Sequence, residues 1–160
     1  MSHTIWPNRL VLLSCLLGFV FLLPGVSGQT SVWTNRYDNA RTGPNVNETV
    51  LNPTNVNVSQ FGKLYSYSID GSVYAQPLYI PGVTINGGVH NVLFVATMND
   101  KVYAFDADSN LPALWTRDFT SPPGVVPVPI TDIVAPNLNI VGNVGVEGTP
   151  VNDRLFQLGY

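Results

Sequence analysis

The chain of 160 residues has a formal net charge of −3 at pH 7, and 11% of its residues are charged, against roughly 25% in an average soluble domain. Lys and Arg form no cluster, which argues against a nucleic-acid partner, because such a partner needs a basic face. Abundant Val, Thr and Tyr, with 14 Gly and 13 Pro spread along the chain, predict an all-β fold of short strands and turns.

Residues 1–28 are typical of a secretory signal peptide. Arg9 precedes an apolar run over residues 10–23, and the sequence PGVSG ends that run. The run is shorter than the roughly 20 residues that a membrane-spanning helix needs. Val26 and Gly28 occupy the positions that a signal peptidase reads, so we expect cleavage before Gln29. This predicts a secreted or periplasmic protein with no stable membrane span after cleavage, and an uncleaved anchor is the alternative.

Cysteine and histidine are scarce. The single cysteine, Cys15, lies inside the apolar run, where a lipid anchor is a further alternative, and the mature chain has none. This excludes thiol catalysis, iron–sulfur clusters and cysteine-bound zinc in the mature chain. His90 is the only histidine of the mature chain, so the chain has a single histidine available for a metal site or a Ser-His-Asp triad. Residues 81–91 predict a Gly-rich loop, and we expect His90 to be a surface residue in it.

Residues 29–60 are polar and rich in turn-forming Asn and Pro. They predict a surface arm that inserts Trp33 and Leu51 into a larger body. Asn47 and Asn57 lie in Asn-X-Thr/Ser triplets, which matter only in a eukaryotic secretory pathway.

Strand patterns follow at regular spacing. The alternation over residues 61–69 predicts a strand, and four further segments predict an antiparallel meander. The run VLFVATM reads as a strand buried on both faces, and Asn99-Asp100 reads as a two-residue hairpin turn. The meander strands are expected at residues 72–80, 92–98, 101–107 and 112–119.

A sequence echo indicates a repeat. GNVGVEGTPV (residues 142–151) resembles DGSVYAQPLY (residues 70–79), and a Pro-rich connection over residues 120–139 lies between them. Residues 70–79 are here called the first echoed segment, and residues 142–151 the second. Four-stranded units of roughly 45–50 residues are typical of propeller blades. Residues 61–160 therefore predict a partial β-propeller, with one blade and the start of a second. Gln76 and Glu147, on the expected inner strands, are weak candidates for binding a ligand or cofactor.

The stretch VYAFDADSNLPALW resembles the repeat of propellers related to pyrroloquinoline quinone (PQQ) dehydrogenases, whose pattern is Ala-X-Asp-X-X-Thr-Gly-X-X-X-Trp. A small residue at Ala104 would allow close packing between blades, and the Asp106 carboxylate would accept hydrogen bonds from its turn. Asn110 would tolerate a positive φ, and the Trp115 ring would be buried between blades. The five matching positions are Ala104, Asp106, Ser109 (for Thr), Asn110 (for Gly) and Trp115, which comes one residue late.

The resemblance extends over residues 33–151, because WTNRYDNARTG and NVSQFGKLYSYSIDG look like the N-terminal part of such proteins. There, an early segment supplies a strand to the last blade. Catalytic members hold PQQ and calcium within a full ring of blades, and none of their ligand motifs can be assigned in this chain. The resemblance implies an exported part of such a propeller, with the remaining blades as its partners. The alternative is a non-catalytic propeller that binds proteins or glycans outside the cytoplasm.

Two other motifs have simpler explanations. Asp106, Asp108 and Asn110 imitate the start of a calcium loop, but Leu111 and Arg117 stand where Gly and Glu are required, so we expect a blade turn. The Gly-X-X-Gly-X-X-Gly of residues 142–148 lacks dinucleotide-binding spacing. The ending NDRLFQLGY departs from the strand pattern, so we expect the chain to be part of a longer propeller. By itself it should aggregate or stay poorly ordered, and it should catalyse nothing.

Overall fold

The computed structural model describes residues 29–133 and 139–150, so the predicted signal peptide and the ending NDRLFQLGY lie outside the described residues. The described part is all-β, with one four-stranded antiparallel sheet in the order β1-β2-β3-β4 and one two-stranded sheet of β5 and β6. Within these ranges the only helical element is a short 3₁₀ turn, Ile130–Asp132. The strands are β1 (Leu78–Ile85), β2 (Gly88–Ala96), β3 (Lys101–Asp106), β4 (Trp115–Asp118), β5 (Val128–Pro129) and β6 (Asn143–Val144).

The first hairpin joins β1 and β2 through Asn86 and Gly87, with φ of 53° and 80°. Ile85 pairs with Gly88, so the loop has two residues, and both take the positive φ of a type I′ turn. The prediction of a Gly-rich loop over residues 81–91 is therefore wrong. β1 tolerates the internal Pro81 because the pairing register shifts between Ile80 and Val83, and proline is accepted at such a bulge.

The second hairpin joins β2 and β3 where the sequence predicts a turn. Thr97 N–H donates to the Lys101 carbonyl at 2.9 Å, and Asp100 N–H donates to the Thr97 carbonyl at 3.2 Å. The loop therefore has three residues, Met98 to Asp100, rather than the two predicted. Asp100 closes it with a φ of 53°.

The two predicted strand segments before residue 81 differ most from the structure. Residues 72–77 lie before β1, which begins at Leu78, and residues 61–69 form no strand. Residues 62–69, here called the Tyr67 segment, contact the sheet through side chains: Tyr67 Oη donates to the Asp106 carbonyl at 2.9 Å, and Tyr65 Oη donates to the Asp108 carbonyl at 2.9 Å. Alternation marks a segment suited to a strand, but a strand also needs a backbone partner.

The sheet is buried on both faces, as the pattern of β2 predicts. On one side, here called the Ala104 face, Ile80, Val83, Val92 and Ala104 form a buried cluster, and Trp33 of the arm packs against it. The predicted insertion of Trp33 agrees with this contact. The same prediction for the other arm residue is wrong, because Leu51 is 48% exposed.

The opposite side, here called the Tyr103 face, carries a second cluster. Its buried members are Val95, Tyr103 and Phe105, and Tyr67 packs on them from outside the sheet. Buried residues on both faces make β2 and β3 the centre of the structure.

The second copy of the echoed sequence lies against the β2–β3 hairpin. Val146 N–H donates to the Thr97 carbonyl at 3.2 Å, and Asn143 Nδ2 donates to Asn99 Oδ1 at 2.8 Å. Met98 N–H donates to the Ser72 carbonyl at 2.9 Å, so both echoed segments bind the same turn. β6 pairs with β5, and a second four-stranded blade remains a prediction.

Candidate functional site

His90 and Asp106 form a side-chain pair at one end of the sheet. His90 lies on β2, two residues before Val92, which pairs with Asp106 on β3. Cross-strand diagonal neighbours are within reach, and His90 Nδ1 lies 2.9 Å from Asp106 Oδ2. The hydrogen bond from His90 holds the pKa of Asp106 below its ordinary value, and a backbone hydrogen bond from Asp108 adds to this effect. The prediction that His90 lies in a surface loop is wrong, since His90 lies on β2 and its side chain is only 23% exposed.

The acidic turn after β3 does not fit a calcium ion. Asp106 Oδ1 accepts the Asp108 N–H at 2.9 Å, and Asp108 Oδ2 accepts Asn91 Nδ2 at 2.6 Å. These oxygens face N–H donors, whereas calcium needs six to eight oxygen ligands. In the described ranges, no group of three or more His, Cys, Asp and Glu side chains has a geometry that could hold a metal ion. The calcium implied for catalytic relatives therefore has no fit in this turn.

The other residues of the repeat pattern near this turn pack in the sheet or form hydrogen bonds within the turn. Ala104 has 0% exposure and packs among the buried aliphatic residues of the Ala104 face. Ser109 N–H donates to the Asp106 carbonyl at 3.4 Å, and the buried Ser109 Oγ has no partner in the described part of the chain. Asn110 does not take a positive φ, so that prediction is wrong. The reason is that the turn spans residues 106–109 and Asn110 follows it.

Trp115 begins β4 and lies beside Phe94 on the Ala104 face. Phe94, Ala104 and Trp115 are successive cross-strand partners, and the Phe94 and Trp115 ring centroids are 6.0 Å apart at a tilt of 50°. Trp115 is 38% exposed, so the sheet alone covers only part of its ring. The predicted burial between two blades stays a prediction.

Gln76 and Glu147 do not lie on strands, which corrects their predicted positions. Gln76 Oε1 accepts the Arg36 N–H at 3.1 Å, and Gln76 N–H donates to Thr149 Oγ1 at 2.9 Å. Glu147 is exposed, and its N–H donates to the Gly145 carbonyl at 2.9 Å. Gln76 thus joins the arm to the second echoed segment, and its side-chain oxygen is already engaged.

A cluster of polar side chains ties the start of the first echoed segment to the β2–β3 hairpin. Lys101 Nζ binds Asp70 Oδ2 and lies 3.6 Å from Asp118 Oδ2. Asn99 Nδ2 also donates to Asp70 Oδ1 at 2.7 Å. The hydrogen bond between Lys101 and Asp70 lowers the pKa of Asp70 and raises that of Lys101. These contacts orient the hairpin.

A groove on the Tyr103 face is a concave site that was not predicted from the sequence. Its volume is about 460 Å³, and its floor is a stack of aromatic rings. The Phe105 ring centroid lies 4.6 Å from that of Tyr67 and 5.7 Å from that of Tyr103. The Tyr67 segment forms one wall, and the loop between β3 and β4 forms the other. The groove is lined by Ser66, Tyr67, Ser68, Tyr103, Phe105, Asn110, Leu111, Pro112, Ala113 and Thr116.

Sequence patterns could have revealed the His90–Asp106 pair, because His90 shares the two-residue period of β2 and Asp106 ends the next strand. They could not reveal the groove, whose walls are more than 40 residues apart in the chain.

No helix in residues 29–133 or 139–150 is long and apolar enough to cross a membrane. Comparison of the chain with models of protein families, with curated proteins and with solved structures gave no match.

Proposed function

We propose that this chain forms a blade of an exported PQQ-repeat-like β-propeller and that its role is structural, docking against neighbouring sheets. The observation that carries the proposal is a four-stranded antiparallel meander with an apolar cluster on each face. A blade lies between two neighbours, so both of its faces need apolar surface.

The Ala104 face offers a docking surface around β4. Trp115 is 38% exposed, Phe94 beside it is half-buried, and Val102 in the next row is half-buried. β4 is the last strand of the sheet among the described residues. Burial of a large aromatic side chain on such a surface by a second sheet would stabilise the assembly.

The Tyr67 segment supports the same assembly. It has the alternation of a strand, yet Leu64 is 83% exposed and Phe61, just before it, is 57% exposed. Within residues 29–133 and 139–150 this segment has no backbone strand partner, and a strand supplied by another sheet would give it one. In the propellers that the chain resembles, an early segment plays this part.

We assign the chain to the body of the propeller rather than to a quinone site. The side chain of the inner-strand candidate Gln76 binds the Arg36 backbone, and the oxygens of Asp106 and Asp108 bind protein donors. In a full-length quinoprotein relative, PQQ and calcium would then be held elsewhere, and the neighbours of this sheet are the remaining blades. By itself, the chain has only other copies to dock against.

The test compares Trp115→Ala with Val89→Ala in the secreted protein, using sedimentation velocity over a range of concentrations. Val89 is the matched control, since it is a 73% exposed apolar residue of the same sheet, away from Trp115. We expect the wild type to self-associate, Trp115→Ala to shift the protein towards monomer, and Val89→Ala to behave as wild type. Equal association of all three proteins would contradict the proposed docking surface.

A further inference from the structure

We propose that Gln29 cyclises to pyroglutamate with the help of Tyr79, once removal of the signal peptide makes Gln29 the first residue. The sequence PGVSG directly before Gln29 carries the small residues that a signal peptidase reads. The inference rests on the export that is part of the proposed function, and it does not depend on the blade. It concerns the arm and the edge strand β1, so both faces of the sheet stay available to neighbouring sheets.

Tyr79 on β1 holds the side-chain carbonyl of Gln29. Tyr79 Oη donates a hydrogen bond to Gln29 Oε1 at 2.7 Å. The backbone keeps the two residues close together, because Val32 N–H donates to the Tyr79 carbonyl at 2.7 Å and Tyr79 N–H donates to the Val32 carbonyl at 3.2 Å. Gln29 therefore lies at the edge of β1 with its carbonyl oxygen against the Tyr79 hydroxyl.

The two ends of this side-chain amide differ in a way that suits loss of ammonia. Gln29 is exposed, and its Nε2 atom makes no hydrogen bond to any residue in the described part of the chain. Burial raises the pKa of the half-buried Tyr79 hydroxyl, and the charge of Asp108 adds to this effect, so Tyr79 keeps its proton and remains a donor. The carbonyl oxygen is thus held by a donor while the amide nitrogen is free to leave.

The reaction needs no co-reactant. The unprotonated α-amine nitrogen of Gln29 attacks the side-chain carbon Cδ, and the new N–Cδ bond closes a lactam ring. The Cδ–Nε2 bond then breaks, and Nε2 leaves as ammonia with the proton that the attacking nitrogen loses. Negative charge develops on Oε1 in the tetrahedral intermediate, where the Tyr79 hydroxyl already donates. The lactam retains this oxygen, and the positive charge of the chain terminus is lost.

Mass spectrometry of the full chain, secreted from an exporting host through its own residues 1–28, tests the proposal. Intact mass and the N-terminal peptide are followed over time, since the cyclised chain is lighter by one ammonia. Tyr79→Phe removes the hydroxyl that binds Gln29. Tyr74→Phe is the matched control, because Tyr74 Oη accepts the Val141 N–H at 3.3 Å instead. The same time courses are recorded in urea, where the contact with Tyr79 is lost.

We expect the secreted wild type to begin at Gln29 and to lose ammonia. Tyr79→Phe should cyclise roughly threefold to tenfold more slowly, the effect of one lost hydrogen bond, and Tyr74→Phe should match wild type. In urea all three proteins should cyclise at one slower rate, which separates the action of the Tyr79 hydroxyl from an intrinsic property of the N-terminal sequence.

Four results would overturn the proposal: a secreted chain that begins at another residue, a wild type that keeps an open Gln29, equal rates of wild type and Tyr79→Phe in buffer, or a wild-type rate unchanged by urea. The last of these does not depend on how well Tyr79→Phe folds. A secreted chain with an open Gln29 contradicts the cyclisation alone, whereas a chain that stays inside the host and keeps residues 1–28 contradicts the proposed export as well.

Discussion

Gly145 sits where the second echoed segment meets the β2–β3 hairpin, and replacing it with alanine should separate the two. A Cβ atom at this position would lie 2.5 Å from the Met98 carbonyl oxygen and 2.6 Å from Asp100 Oδ1. Real Cβ atoms essentially never approach so closely, and one neighbour is backbone, so the segment or the hairpin has to move.

The expected decrease in the free energy of unfolding follows from the contacts that this movement breaks. Overpacking in a well-packed region costs about 1–3 kcal/mol. The hydrogen bonds from Val146 to Thr97 and from Asn143 to Asn99 contribute about 1 kcal/mol each. Detachment of the segment relieves the overpacking, so the loss is limited to about 2 kcal/mol, the sum of these two bonds.

Hydrogen exchange with mass spectrometry, together with thermal unfolding, measures both effects. Gly148→Ala is the control, because a Cβ there meets nothing within 4 Å. We expect Gly145→Ala to lose protection over residues 143–146 and to melt earlier, and Gly148→Ala to match wild type or be slightly more stable. Identical behaviour of the two variants would refute the packing of this segment on the hairpin.

Two further predictions concern single residues of the sheet. The pKa of Asp106 is lowered from 3.8 by its bond to His90, so this carboxylate stabilises the fold above pH 3.8 and loses its effect as the pH falls through the folded-state pKa. Thermal melts should show Asp106→Asn less stable than wild type at pH 7 and the difference shrinking below pH 3.8; a constant difference would contradict the pairing. Gly87→Ala should lower the free energy of unfolding by about 1 kcal/mol, because φ at this position of the first hairpin is 80°. Gly62→Ala is the control and should leave stability unchanged, since Gly62 has neither a positive φ nor a close contact. Equal denaturant midpoints of the two variants would contradict the turn type.

The strand order followed from the sequence because β2 and β3 carry strong local patterns. The apolar run around Val92 and the alternation around Tyr103 each predict a strand without reference to the rest of the chain. The limits of β1 were missed because residues 81–91 were interpreted as a Gly-rich loop, whereas a bulge accommodates Pro81 within the strand. Asn86-Gly87 was a hairpin signal that the Gly-rich context obscured.

The site was harder to predict than the fold. Asp106 was interpreted as a turn residue from the repeat that the sequence resembles, and its hydrogen bond from the Asp108 N–H agrees with that. Residues joined only by tertiary folding have no local signal, as for Ser66 and Thr116 in the groove. Alternation in the Tyr67 segment predicted a strand, but sequence alone does not show whether a partner strand is present.

Sedimentation velocity of the secreted wild-type chain at rising concentration tests most directly whether its sheet is built to dock against others. A sheet that exposes Trp115, beside a Tyr67 segment that has no backbone strand partner among the described residues, should self-associate as concentration rises, with the sedimentation coefficient increasing accordingly. A single concentration-independent monomer that also unfolds cooperatively would contradict the docking role.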